Sequence, residues 1–262
     1  MDLMAELLGD LRAETASFEE LLQPLRDEDW ELATPAEGWA IRDQVSHLAW
    51  FDDAAVQAVT DPEGFNASLA DFAASGFSSV DDLVVRARRT SPAELRGWFR
   101  AARARSIEVF AALNARDRVP WFGPPMSAAS FVTARLMETW AHGQDVADAL
   151  GVVRKPTVRL RHVAMIGFRA RPYSFAVRGL AEPPEPVRVE LTMPDGSAWT
   201  AGPPEAAAVV RGPMFDFCLA VTQRVHLSDT ALEIDGEAAR AWMEIAQAFA
   251  GPPGKGRAPR SG

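Results

Sequence analysis

A carboxylate and an imidazole stand four residues apart in the segment Glu138-Thr139-Trp140-Ala141-His142. Apolar residues recur at helical spacing around them and no proline interrupts them, which predicts a helix over about 127–150. Side chains four positions apart lie on the same face of a helix, so Glu138 and His142 can point at one position. Carboxylate and imidazole groups are good ligands for divalent transition metals, zinc above all. The segment therefore supplies two ligands of a candidate metal site.

A third ligand must come from another part of the chain, and His47 is placed to provide it. It lies in a second predicted helix, over about 41–60, and metal sites in helical bundles are built from facing helices. Three protein ligands would leave the fourth position of a tetrahedral zinc ion open, as in catalytic zinc sites. From spacing alone, the alternative is that His47 is a half-buried imidazole with satisfied hydrogen bonds and that Glu138 pairs with an arginine.

The N-terminal part of the chain is predicted to be a helical bundle. Long amphipathic helices are predicted over about 2–24, 41–60, 91–113 and 127–150. The third of them opens at Ser91-Pro92-Ala93-Glu94, which has the N-cap residue, the proline and the acidic third position expected of a helix start. Four such helices joined by loops favour an up-and-down four-helix bundle.

The pattern changes after Arg171-Pro172. Residues 187–193 alternate in polarity and are rich in β-formers, and Pro194-Asp195-Gly196 predicts a turn before a returning strand. The predicted fold class is therefore α+β, with the bundle followed by a small α/β domain. The predicted domains are the bundle, a connecting helix, the α/β domain and a disordered tail, over residues 1–155, 156–172, 173–250 and 251–262.

Composition excludes several classes of function. The net charge of −9 argues against a broad nucleic-acid surface, which needs clustered Lys and Arg. The single cysteine, Cys218, rules out an internal disulfide, and its apolar neighbours favour a buried, inert thiol. The acidic N-terminus does not resemble a signal peptide, and no apolar run approaches the ~20 residues of a membrane span. We therefore expect a cytoplasmic protein without a membrane partner.

Two motifs carry a resemblance to a known family. The run Gly38-Trp39-Ala40-Ile41-Arg42-Asp43-Gln44-Val45-Ser46-His47-Leu48 and the later run Glu138-Thr139-Trp140-Ala141-His142-Gly143-Gln144-Asp145 resemble the mycothiol-dependent maleylpyruvate isomerases, which belong to the DinB-like metalloproteins. The resemblance covers about residues 1 to 250. It implies a four-helix bundle with zinc bound by His47, Glu138 and His142, followed by a small α/β domain related to sterol-carrier proteins.

Two further residues are candidates for function, and the resemblance implies the first of them. Members of the family have an arginine in the C-terminal domain that reaches the active site, and Arg224 stands at the matching position. Where a small residue is expected before that arginine, this chain has Gln223. Asp145 is interpreted as a residue that orients a ligand imidazole, the alternative being a solvated helix carboxylate.

These residues predict a zinc-dependent enzyme that uses a low-molecular-weight thiol, with mycothiol as the thiol implied by the resemblance. It would be an isomerase or S-transferase acting on a small electrophilic or carboxylate-bearing substrate, which Arg224 would hold. The donor set would also accept nickel or iron. A zinc hydrolase is the first alternative and would need Asp145 or Asp52 as general base. The second is a non-enzymatic metal- or ligand-binding protein.

Overall fold

The computed structural model describes residues 2–74 and 80–260. Its α-helices are α1 (Leu3–Leu22), α2 (Ile41–Thr60), α3 (Pro62–Ala74), α4 (Val80–Ala87), α5 (Pro92–Ala111), α6 (Ala128–Ala149), α7 (Leu160–Arg169), α8 (Arg171–Ala176), α9 (Met214–Val221) and α10 (Glu237–Met243). Its strands are β1 (Arg118–Val119), β2 (Met126–Ser127), β3 (Val187–Thr192), β4 (Ala198–Ala201), β5 (Ala208–Pro213) and β6 (Glu233–Asp235).

The chain divides into two compact units, Met1–Val153 and Arg154–Gly262. In the first, α2 packs against α5 and α6, and α1 packs against α6, so that the four long helices form a bundle. The second contains a four-stranded sheet. The predicted α+β class, with a helical N-terminal region and a small sheet domain, is confirmed. The finer division into four segments stays a prediction.

A shared apolar core holds the bundle together. Helical periodicity places one residue in every three or four of each long helix on an inward face, which explains why these segments form helices that pack. The buried core consists of Phe18, Leu22, Trp30, Ile41, Val45, Leu48, Ala49, Leu95, Phe99 and Val146. Each large apolar side chain in such a core contributes about 1.5–3 kcal/mol on burial. This core fixes the spacing of α2 and α6.

A short hairpin leads into α2 and fixes where that helix begins. The Thr34 amide donates to the Trp39 carbonyl at 2.8 Å, and Gly38 turns the chain with a φ of 78°, a conformation that disfavours any residue with a Cβ. The Asp43 carboxylate then accepts from the Ala40 amide at 2.8 Å, which caps the first turn of the helix. The hairpin and the cap together define the direction in which α2 starts.

The sheet of the second unit has the strand order β4-β3-β5-β6. β3 and β4 pair antiparallel, as the predicted turn over Pro194–Gly196 requires, whereas β3 and β5 pair parallel. Val187, Val189 and Leu191 are buried on one face of β3, which explains the alternating pattern in the sequence.

The segment predicted to be a disordered tail carries no helix or strand over residues 251–260, and it hydrogen-bonds to the second unit. The Tyr173 hydroxyl donates to the Gly251 carbonyl at 2.8 Å, and Arg178 donates to the Gly254 carbonyl at 3.2 Å. Residues 261–262 of the predicted tail lie outside the described residues. In the part of the chain that the structure describes, no helix is both long enough and apolar enough to cross a bilayer.

Candidate metal centre

His47, Glu138 and His142 converge on one position between α2 and α6; they are called the triad below. Glu138 Oε2 lies 3.2 Å from His142 Nε2 and 3.5 Å from His47 Nε2, and the three ligand atoms all lie within 4.8 Å of one another. The side chains of His47 and His142 are each 10% exposed and that of Glu138 is 24% exposed. The triad is therefore shielded but still reachable from solvent.

Two helices position the triad. His47 lies in the second turn of α2, and Glu138 and His142 face the same way one turn apart in the middle of α6. Ser127 caps α6 by accepting the Ser130 amide at 3.2 Å, so the helix is well formed before it reaches Glu138. Because α2 packs directly on α6, side chains that are 91 residues apart in sequence meet here.

The donor set fits a tetrahedral metal ion. Two ligand atoms bound at about 2.0–2.1 Å to a tetrahedral zinc ion lie about 3.3 Å apart. The two contacts of Glu138 Oε2, at 3.2 and 3.5 Å, are close to that separation. Two imidazoles and one carboxylate are also the ligand types that zinc accepts. The residues present therefore fit the metal.

The protonation states of the triad also suit metal binding. Burial, followed by the nearby His142 ring and Arg135, lowers the pKa of His47 to about 4, although Glu138 acts in the opposite direction. Burial alone would raise the pKa of Glu138, but the adjoining imidazoles of His142 and His47 outweigh it and hold that pKa well below its usual range. At neutral pH, His47 is therefore uncharged and Glu138 is ionised, as a metal requires of its ligands.

A series of hydrogen bonds supports the His142 ring at Nδ1, the nitrogen that does not face Glu138. Nδ1 of His142 contacts Gln44 Oε1, the Gln44 amide nitrogen donates to Thr34 Oγ1 at 2.8 Å, and the Thr34 hydroxyl donates to the Trp39 carbonyl at 2.9 Å. Gln44 is fully buried. Gln44 is not among the site residues predicted from the sequence, although its position three residues before His47 on α2 is a signal for it.

Aromatic rings surround the triad. The Trp39 ring stacks on His142 with centroids 5.9 Å apart and an interplanar angle of 12°, and the Phe51 ring lies 4.6 Å from His47. Beyond Phe51, a recess of about 190 Å³ opens between α2 and α3. Its lining residues are Trp50, Asp53, Ala54, Gln57, Phe65, Ser68, Leu69 and Phe122. These rings give the triad a predominantly apolar environment.

A second buried polar group, called the ion-pair cluster below, consists of Asp52, Arg103 and Arg135. The two carboxylate oxygens of Asp52 accept from Arg103 Nε at 2.7 Å and from Arg135 Nε at 3.0 Å. The two remaining nitrogens of Arg103 donate to Thr15 and Thr139. Asp52 is thus fully buried and its two oxygens are engaged, which leaves it no role as the general base of a hydrolase.

Comparison with known proteins places the chain in a family. A family model described as the mycothiol maleylpyruvate isomerase N-terminal domain matches residues 11–147, more than half of the chain. The chain belongs to the mycothiol maleylpyruvate isomerase family. Two uncharacterized proteins of Mycobacterium tuberculosis, from strains CDC 1551 and H37Rv, are each 49% identical to it over 250 residues, which is 95% of this chain and 97% of theirs.

Solved structures support the same relationship at the level of the fold. The crystal structure of the mycothiol-dependent maleylpyruvate isomerase has a TM-score of 0.59 at 18% identity, covering 91% of this chain and 96% of that one. A histidine-to-alanine mutant of that protein has a TM-score of 0.59 at 17% identity, covering 89% and 95%. A model described as wyosine base formation matches residues 183–233, within the second unit.

The structure also places the two other candidate site residues, Asp145 and Arg224. Asp145 is fully buried on α6, whereas His142 contacts Gln44 through Nδ1 and Glu138 through Nε2. Arg224 lies in the second unit, three residues beyond the end of α9, and its Nη1 donates to the Thr222 carbonyl at 2.6 Å. The structure thus brings the three predicted metal ligands together, and it places Arg224 in the other compact unit.

Gln223, which stands where a small residue is expected, lies in the turn between the end of α9 and Arg224. α9 ends in a Schellman turn, in which the Gln223 amide donates to the Ala220 carbonyl and the Arg224 amide donates to the Leu219 carbonyl. Gln223 has a φ of 58° and is the one non-glycine among the described residues with a positive φ. Its side chain donates to the Ala246 carbonyl at 3.0 Å, which offsets part of the strain.

Proposed function

We propose that this protein is a zinc-dependent enzyme that uses mycothiol as a cosubstrate and acts as an isomerase or S-transferase on a small electrophilic or carboxylate-bearing substrate. The observation that carries the proposal is the convergence of His47, Glu138 and His142, in which Glu138 Oε2 lies 3.2 and 3.5 Å from the two imidazole nitrogens, close to the ligand separation in a tetrahedral zinc site. Membership of the mycothiol maleylpyruvate isomerase family supports the choice of thiol.

The triad residues would bind the metal, and a zinc ion held there would lower the pKa of a coordinated thiol so that a thiolate exists at neutral pH. Cys218 cannot supply that thiol, because burial raises its pKa well above the ordinary range. The thiol must therefore come from a small molecule. The aromatic side chains beside the triad, Trp39 and Phe51, would exclude water from the reacting groups.

Arg224 is proposed to bind a carboxylate of the substrate, because guanidinium groups pair with carboxylates in a fixed geometry. An Arg224→Ala variant that keeps its zinc but loses activity with mycothiol would support this role. An Arg224→Lys variant tests whether charge alone is sufficient. Full activity of the Arg224→Ala variant would remove this residue from the site.

The ion-pair cluster removes Asp52 as the general base of the hydrolase alternative, since two arginines hold it, and leaves Asp145 as the remaining candidate for that role. Thiol binding distinguishes the proposal, which requires it, from the non-enzymatic alternative, which does not. Elemental analysis of the purified wild type and of His47→Ala, with calorimetric titration of mycothiol into each, tests all three. His226→Ala is a matched control, because His226 lies in the second unit and contacts Ser228.

We expect near-stoichiometric zinc and thiol binding in the wild type and in His226→Ala, and neither in His47→Ala. Zinc without thiol binding would favour a hydrolase or a binding protein. Activity on a substrate without any added thiol would contradict the thiol-dependent class. Absence of metal in the wild type after reconstitution with zinc would overturn the proposal.

A further inference from the structure

The supporting chain behind His142 contains one group whose hydrogen-bonding role is unambiguous. The main-chain carbonyl of Trp39 can only accept, so the Thr34 hydroxyl, at 2.9 Å, must donate its single hydrogen to it. Thr34 Oγ1 must then accept from its other neighbour, Gln44, at 2.8 Å. The group of Gln44 that faces Thr34 is therefore its amide nitrogen.

This assignment fixes the proton on His142. With its nitrogen directed at Thr34, Gln44 presents its oxygen to His142 Nδ1, and an amide oxygen can only accept. Nδ1 must therefore carry a hydrogen. In a neutral imidazole with a proton on Nδ1, the lone pair is on Nε2, the atom that lies 3.2 Å from Glu138 and faces the metal position.

We propose that Gln44, oriented by Thr34 and the Trp39 carbonyl, keeps a proton on Nδ1 of His142 and so reserves Nε2 for the metal before any metal is bound. Gln44 is a positioning residue in this arrangement. The inference deepens the proposed function, because it rests on the triad being a metal site.

Burial makes the arrangement rigid. Gln44, Thr34 and His142 are all buried, and reversing the amide would leave the oxygens of Gln44 and Trp39 competing for the one hydrogen of the Thr34 hydroxyl. The Trp39 ring, stacked nearly parallel to the His142 ring, restricts its rotation as well. Trp39 therefore contributes twice, through its carbonyl to the chain and through its ring to His142.

One other arrangement competes with this one. If the Gln44 amide were reversed, His142 would carry its proton on Nε2 and donate it to Glu138. The two side chains would then form an ordinary histidine–carboxylate hydrogen bond, and Nε2 would not be free to bind a metal. The two arrangements differ in which ring nitrogen is protonated. The ¹⁵N chemical shifts of the His142 ring in metal-free protein distinguish them, and they also identify a ring that is protonated on both nitrogens.

The test compares wild type with Gln44→Leu, which removes the acceptor, and with Gln44→Glu, which keeps one. Gln57→Leu is the matched control, since Gln57 lies on the same helix and contacts Ser68 at the surface. We expect a protonated Nδ1 in wild type, Gln44→Glu and Gln57→Leu, and a bare Nδ1 in Gln44→Leu. Zinc affinity, measured by chelator competition, should fall about 10–100-fold in Gln44→Leu, the usual cost of losing such a partner.

Thr34→Val provides a second route if Gln44→Leu does not fold, because it frees the amide to reverse and should produce a bare Nδ1 in part of the population. A bare Nδ1 in the wild type, or an unchanged tautomer and a zinc affinity within twofold in both variants, would overturn the inference. A protonated Nδ1 in a wild type that binds no zinc would overturn the proposed function and leave the hydrogen-bonded chain standing.

Discussion

The triad and the ion-pair cluster occupy the same two helices, and they differ in how their charges are balanced. Asp52 lies five residues after His47 on α2, and Arg135 lies three residues before Glu138 on α6. In the ion-pair cluster, each oxygen of Asp52 accepts from an arginine. In the triad, the carboxylate of Glu138 faces two imidazole nitrogens, and His47 is uncharged at neutral pH.

This difference indicates that the ion-pair cluster stabilises the fold and that the triad is available for chemistry. A buried carboxylate that is paired with two arginines is fully satisfied, and its removal would leave uncompensated charge in the core. A carboxylate surrounded by nitrogen ligand atoms instead forms a donor set for a cation. The two clusters are linked by Arg135, which bonds Asp52 and also helps to lower the pKa of His47.

The largest expected effect comes from breaking the ion-pair cluster. Asp52→Asn should lower the free energy of unfolding by about 3–5 kcal/mol, because two buried guanidinium groups lose their counter-charge. Urea unfolding monitored by circular dichroism measures the change. Asp53→Asn is the control: its carboxylate pairs with Arg105 at the surface, and asparagine keeps an acceptor for the Trp98 indole. That substitution should cost about 1 kcal/mol or less.

The next effect concerns the metal. Glu138→Gln should weaken zinc binding by more than the ~10–100-fold that follows loss of an outer hydrogen-bond partner, because it replaces a charged ligand. With zinc at 100 times the wild-type Kd, the wild type should gain about 2.7 kcal/mol of stability and the variant almost none. Glu190→Gln, in the second unit, should retain the full gain. Equal zinc-dependent stabilisation of all three proteins would contradict the assignment of the triad.

Thr139→Val tests whether the ion-pair cluster and the triad are independent. Thr139 directly follows the triad residue Glu138 in the sequence. Its hydroxyl accepts from Arg103 at 3.0 Å, so its loss leaves a buried donor unsatisfied. We expect a cost of about 1–3 kcal/mol in the free energy of unfolding. Zinc affinity should stay within about twofold, because the hydroxyl bonds the two arginines of the ion-pair cluster. A loss of zinc affinity without a loss of stability would show that the two clusters are not separate.

The sequence predicted the triad but not its surroundings, and the reason is the range of the interactions. Glu138 and His142 are linked by helical spacing alone, and the bounds of the long helices follow from local apolar periodicity and caps. Gln44 meets His142 across 98 residues, and Asp52 meets Arg135 across 83. Such pairs depend on how α2 and α6 pack, which no local pattern specifies. Asp52 is therefore a candidate base in the sequence, but in the fold it is the carboxylate shared by two buried ion pairs.

The last expected effect is a pH dependence that belongs to the triad. The pKa of His47 falls from its ordinary 6.5 to about 4 in the folded protein, so below pH 6.5 the unfolded chain takes up a proton that the folded chain does not. Metal-free protein should therefore lose stability as the pH falls from 6.5 towards 4, by at most about 1.4 kcal/mol per pH unit, and no further below 4.

His47→Gln isolates this contribution from that of the many carboxylates, because it removes one imidazole and keeps a polar side chain of similar size. The difference in unfolding free energy between wild type and His47→Gln should change in the acid range and stay constant above pH 7. A parallel pair, Asp52→Asn with and without His47→Gln, tests the link through Arg135: with Asp52 removed, the arginine is less neutralised and should disfavour protonated His47 more strongly. If the pH-dependent difference is instead unchanged, the two clusters act independently although they share two helices.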